Sequence, residues 1–237
     1  MLTLRQVFSG ISLLAAASAA QAAIITLNGD HFTVTYDEAL VSPLFGSGAL
    51  SGSLDTLYFQ PTAFNAFGAG ASAATKASLQ FTVAVDSGYA FAGLAFSEWG
   101  NYFLSDGGSA SAAAVVQATN SATSDSGTLN LTPGSPLDVA GGTANWALSG
   151  LISPTGLGSP QSLLVSLGDQ VGVDPSAGGL GYIEKNYVGF RIMTQAQSVP
   201  EPSTGALLFG GVLAALLAGR RPLGGPLKKR IEDSRKA

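Results

Sequence analysis

The residues best suited by type and spacing to do chemistry fall in one short stretch, Phe96-Ser97-Glu98-Trp99-Gly100-Asn101-Tyr102-Phe103. An acid, an amide and aromatic rings this close together suit the grip on a sugar, which needs an apolar face to stack on and a few polar groups at its rim. Glu98, Trp99, Asn101 and Tyr102 are therefore the candidate glycan-binding residues. The competing reading is a strand end whose Trp99 and Phe103 help to cover a core. Glycoside hydrolysis would further require two carboxyl groups held a short distance apart across the scissile bond, a pairing that only folding can create.

Other reaction classes find little support. Nucleophilic hydrolysis needs a base beside a hydroxyl or thiol, and the chain has one histidine, His31, no cysteine, and no serine in a Gly-x-Ser-x-Gly frame. A zinc site wants three or four His, Cys or carboxylate ligands. Calcium accepts carboxylates and loop carbonyls; Asp30 beside Asn28-Gly29, and Asp106-Gly107-Gly108, offer such groups, but these are also ordinary turn residues. Gly178-Gly179-Leu180-Gly181 lacks the following Gly or Lys-Ser/Thr of a phosphate-binding loop. The expectation is a non-enzymatic chain with no catalytic residue, no metal site and no cofactor.

Charge narrows the partners. Residues 23–198 carry twelve acids against only Lys76, Lys185 and Arg191, although the whole chain has a net charge of only −4. Nucleic acid and anionic lipid both select clustered Lys and Arg, so neither is an expected partner of this segment. Without cysteine there are no disulfides, and stability must come from a packed core.

The elements that would position these groups are strands. Alternation at period two places Phe32, Val34 and Tyr36 on one face of 31–36, and Leu79, Phe81, Val83 and Val85 on one face of 78–85. His31 would then point away from the apolar face. Further strands are expected at 24–27, 54–59, 89–97, 112–119, 128–131, 144–151, 163–167 and 187–194. Asn28-Gly29-Asp30, Asp86-Ser87-Gly88, Pro133-Gly134 and Gly141-Gly142 punctuate them as turns. Residues 72–77 are compatible with a short helix. Residues 105–128, rich in Ser, Ala, Gly and Thr, read as a strand flanked by loops. About ten short strands with frequent turns predict an all-β fold, an antiparallel β-sandwich of jelly-roll-like kind.

The two ends read as addresses. Residues 1–22 have Arg5, an apolar stretch over 7–17 and Ala20-Gln21-Ala22, the pattern of a cleaved secretory signal helix. At the other end, Val199-Pro200-Glu201-Pro202-Ser203-Thr204 precedes an uncharged apolar run that closes on Arg220-Arg221. That run, 204–219, is shorter than the roughly 20 residues of a permanent membrane span. The two prolines preclude helix continuation and present Glu201 in an extended segment. Arg220, Arg221, Lys228, Lys229 and Arg230 put the C-terminus on the cytoplasmic side.

This tripartite ending resembles the PEP-CTERM sorting signal of Gram-negative bacteria. The resemblance covers about residues 199–221 and implies recognition of Pro200, Glu201 and Pro202, with Arg220 and Arg221 as the basic stop, by a membrane-embedded exosortase. It implies transient membrane anchoring through the C-terminal hydrophobic helix, then delivery to the cell surface or exterior, and a link to exopolysaccharide, biofilm or surface matrix. The organisation expected is thus a signal peptide (1–22), a β-sandwich cargo domain (23–198), a sorting signal (199–221) and a basic cytoplasmic tail (222–237). The principal functional expectation is an exported, non-enzymatic envelope or matrix protein. The alternative is a carbohydrate-binding or carbohydrate-active module.

Overall fold

The computed structural model describes residues 23–198. The signal peptide, the motif Pro200-Glu201-Pro202, the hydrophobic helix and the tail with Arg220 and Arg221 lie outside the described residues.

Alternation of apolar and polar side chains carries through nearly the whole described segment and yields twelve strands: β1 (Ile24–Asn28), β2 (Phe32–Asp37), β3 (Ala49–Leu50), β4 (Thr56–Phe59), β5 (Asn65–Ala69), β6 (Ala73–Val85), β7 (Tyr89–Leu104), β8 (Gly108–Asn120), β9 (Ser126–Leu131), β10 (Gly142–Ile152), β11 (Ser162–Pro175) and β12 (Leu180–Ala196). Every pairing is antiparallel. One sheet runs β1-β2-β6-β11-β8-β9, the other β10-β7-β12-β4-β3, with β5 also paired to β12. From β6 onward the chain repeatedly crosses between the sheets, so neighbours in space are seldom neighbours in sequence.

The inner faces of the two sheets pack against each other to form the core. Phe81 of the first sheet meets Phe190 of the second at 4.9 Å between ring centroids, edge to face, and Phe96 lies 5.2 Å from Phe190. Val34, Val83, Leu94, Val165, Val171, Ile183 and Val188 are among the other fully buried residues. One end is plugged by Phe45, held on a short 3-10 turn that Ser42 caps, against Phe59 and Phe64.

Two local expectations change. Residues 72–77 form no helix: all but the first belong to β6, where Ala73, Thr75 and Ala77 alternate with more exposed neighbours and pair with β11. Ladder pairing and burial outweigh the modest helix preference of alanine. The strands are also longer than the turn-rich sequence suggests, β7 and β12 reaching 16 and 17 residues. Gly100 does not end β7 but sits inside it, because a Cβ there would overlap the Glu184 carbonyl of β12 and crowd Trp146 at 2.9 Å. The glycine marks a close backbone approach rather than a turn.

Candidate functional site

Strand alternation in β7 divides the sequence-selected residues between two environments. Leu94, Phe96, Glu98, Tyr102 and Leu104 are buried; Ser97 and Trp99 are exposed, with Asn101 half-buried. Trp99 and Asn101 thus share the outer face of the second sheet, whereas Glu98 and Tyr102 turn inward. Tyr102 is 2% exposed and its hydroxyl accepts a hydrogen bond from the Val139 amide at 3.3 Å. The four do not converge on one ligand.

What the sheet adds to Trp99 comes from two other strands. Tyr187 of β12 is in register with Trp99, and Gly189 of β12 is in register with Tyr58 of β4. The Trp99 and Tyr187 rings lie 6.0 Å apart with planes 12° from parallel, and Tyr187 and Tyr58 lie 6.2 Å apart at 14°. Three near-parallel aromatic rings therefore form a row across β7, β12 and β4 on an outer face, with Trp99 48% exposed. Gly189 permits this: a Cβ there would come within 2.7 Å of Tyr187 Cε1 and Cζ, so only a glycine lets the tyrosine ring lie along its own strand. Burial against these neighbours, foremost, raises the Tyr187 phenol above its ordinary pKa.

Polar groups flank the row along the strands. On one side Asn101 Nδ2 donates to Glu184 Oε1 at 3.3 Å and the Tyr182 hydroxyl donates to Glu184 Oε2 at 2.8 Å. Desolvation and the Glu184 carboxylate push the Tyr182 phenol up to about 12, so it remains a donor. On the other side Arg191 Nε donates to Asp55 Oδ2 at 2.8 Å, while the hydroxyls of Ser51, Ser53 and Thr56 donate to Asp55 Oδ1. These hydroxyls, with Ser53 foremost, lower the Asp55 pKa to about 2.

Directly beneath, inside the sandwich, lies a second constellation. Lys185 Nζ donates to Glu98 Oε2 and to Asp169 Oδ2, and all three side chains are fully buried. Nζ also sits 5.0 Å from the centroid of Phe64 and 5.4 Å from that of Trp146. Glu98 Oε1 and Asp169 Oδ1 have no hydrogen-bond partner. Burial raises both carboxyl pKa values despite the nearby ammonium, Glu98 to about 8, and repulsion from Asp169 contributes to the Glu98 shift.

One irregularity serves both constellations. Lys185 pairs with Gly100 and Tyr187 with Trp99, so Asn186 is an extra residue in β12, a β-bulge. Uninterrupted alternation would put Lys185 and Tyr187 on the same face. The bulge sends Lys185 into the core and Tyr187 outward.

His31 follows a turn rather than a strand: its backbone is left-handed at φ 68°, its ring stacks on Tyr89 at 3.7 Å, and Nε2 is 3.2 Å from Asp30. Among the described residues no three His, Cys, Asp or Glu side chains are grouped to hold a metal ion.

No protein-family model and no curated protein matches the chain. Similar solved structures include TmCBM61 in complex with β-1,4-galactotriose, 13% identical over 73% of this chain and 89% of that one, with a TM-score of 0.23. A structure described for carbohydrate-binding modules of the β-sandwich superfamily is 8% identical over 70% and 97%, with a TM-score of 0.21. The N-terminal cellulose-binding domain of Cellulomonas fimi β-1,4-glucanase C is 12% identical over 67% and 99%, with a TM-score of 0.15.

Proposed function

We propose that residues 23–198 are a non-catalytic carbohydrate-binding domain. The observation that carries this reading is the row Trp99-Tyr187-Tyr58, three near-parallel rings on one sheet face, with Trp99 exposed and both tyrosines half-buried. A sugar ring has faces of C–H groups and edges of hydroxyls, so it suits an aromatic surface bordered by amides, carboxylates and a guanidinium. Asn101, Glu184, Asp55 and Arg191 provide that border. Rings on three successive strands suit a chain of sugars better than a single residue.

Hydrolysis is disfavoured by where the acids are. Glu98 and Asp169 are close together but sealed in the core, out of reach of a glycan on the outer face. Glu184 and Asp55, which do reach that face, are engaged by hydrogen-bond donors on either side of the aromatic row rather than paired across one bond.

The sorting signal at 199–221 extends this reading to an exported protein that an exosortase delivers to the surface, where exopolysaccharide is the natural ligand class. The test is retention of the full chain on a panel of soluble and insoluble polysaccharides by affinity electrophoresis and pull-down. Retention that Trp99→Ala removes supports the proposal; no retention across neutral and acidic polysaccharides sinks it.

A further inference from the structure

The buried Lys185, Glu98 and Asp169 are not used by a glycan site on the outer face, and they are an unfavourable way to build a core. Burying one ammonium and two carboxyls costs desolvation that mutual attraction repays only when every polar atom is satisfied. Here Glu98 Oε1 and Asp169 Oδ1 are left without partners. What the arrangement does supply is an amine nitrogen in contact with two carboxyl groups, water excluded, and Phe64 and Trp146 walling the site. Those are the requirements for amide formation: an apparent concentration far above that attainable in solution, and a medium from which the product water leaves.

We propose that Lys185 and Asp169 condense to an intramolecular isopeptide bond, with Glu98 as the proton carrier.

In a low-dielectric site a proton passes from the Lys185 ammonium to the Asp169 carboxylate, leaving a neutral amine beside a neutral acid. The Nζ lone pair attacks Asp169 Cγ, and the electron pair of the C=O bond moves onto its oxygen. Glu98 donates a proton to that oxygen while its other oxygen takes one from nitrogen. Collapse of the tetrahedral intermediate breaks one Cγ–O bond, and the hydroxyl leaves with a proton as water. One C–N bond forms, one C–O bond breaks, one water departs and Glu98 is regenerated. No oxidant, metal or activated co-substrate is needed.

Glu98 suits the carrier's part because burial keeps it protonated up to about pH 8. Asp169 is the acyl partner because it lies on β11 of the opposite sheet, whereas Glu98 is on β7, already hydrogen-bonded to β12 along its length. The Lys185–Asp169 bond would tie the two sheets together covalently, in a chain without cysteine. It would also remove the ion pair that makes this core costly.

The test is peptide mapping of the purified full chain by mass spectrometry after denaturation. The expected result is a branched peptide containing Lys185 and Asp169, lighter than the sum of its two linear parts by one water. It should be absent from Lys185→Arg and Asp169→Ala, and absent or slow to form in Glu98→Gln refolded from denaturant. Recovery of the Lys185 and Asp169 peptides only as separate, unmodified species from folded wild-type protein overturns the proposal, whether or not any variant folds. A bond mapped to Glu98 instead of Asp169 overturns the assigned roles.

Discussion

Glu98 and Trp99 are adjacent in the chain yet stand on opposite faces of β7, the first 1% and the second 48% exposed. Each belongs to a different group: Glu98 to the buried cluster with Lys185 and Asp169, Trp99 to the outer row with Tyr187 and Tyr58. Substitutions at the two positions should therefore have separable effects.

Trp99→Ala should abolish or greatly weaken polysaccharide retention while leaving the fold intact, because the side chain lies mainly outside the core. Truncating a tryptophan that anchors a binding site typically costs about 2 kcal/mol or more, roughly 30-fold in affinity. Tyr58→Ala should cost less, since that ring is smaller and half-buried and offers less surface to a ligand. Affinity electrophoresis and circular dichroism on the same samples check both halves of the statement.

Gly189→Ala tests the geometry of the row without removing a ring. Gly189 is buried beneath the Tyr187 ring, and the new methyl must displace that ring, so glycan affinity should fall several-fold while the fold, read by circular dichroism, is retained. Unaltered affinity would mean that the placement of Tyr187 is irrelevant to binding.

Measured against unlinked protein, Lys185→Met leaves two buried carboxyls facing each other without a cation. Breaking a buried ion cluster by removing one partner costs about 3–5 kcal/mol. The triple variant Lys185→Met, Glu98→Leu, Asp169→Leu removes the orphaned carboxyl groups together and should be more stable than the single variant by most of that amount. Chemical denaturation of the single and triple variants is the measurement.

The pH dependence of stability has two limbs of opposite sign. Asp55 has its pKa lowered to about 2 in the fold, so its contribution is present above about pH 4 and is lost as pH falls through 2. Glu98 has its pKa raised to about 8, so in unlinked protein its contribution is whole below about pH 4.5 and is lost as pH rises through 8. Stability should be greatest on the acid side of neutrality. Asp55→Asn should flatten the acid limb and Glu98→Gln the alkaline one, each read from denaturation midpoints across pH.

How far residues alone disclose this arrangement varies along the chain. The alternation of Phe32-Val34-Tyr36 and Leu79-Phe81-Val83 reveals β2 and β6, because a half-buried strand needs that pattern. Strands β3 and β5 are short or glycine-bearing and give no comparable signal. Trp99 stands out locally as an aromatic beside polar groups. Tyr187 and Tyr58 do not, since what unites them with it is register between distant strands. The buried cluster had a local clue in Glu98, which shares parity with Leu94 and Phe96. Lys185 likewise shares parity with Ile183, but the extra residue Asn186 breaks the alternation just beyond it and hides the relation between Lys185 and Val188.

Because Trp99, Tyr187 and Tyr58 come from strands far apart in the chain, the aromatic row has no existence before the sheet closes. Long-range pairing of this kind is slow and arrives late in folding. On the proposed carbohydrate-binding reading, an unfolded chain would thus present no ordered adhesive surface, and capture of a glycan would await completion of the fold.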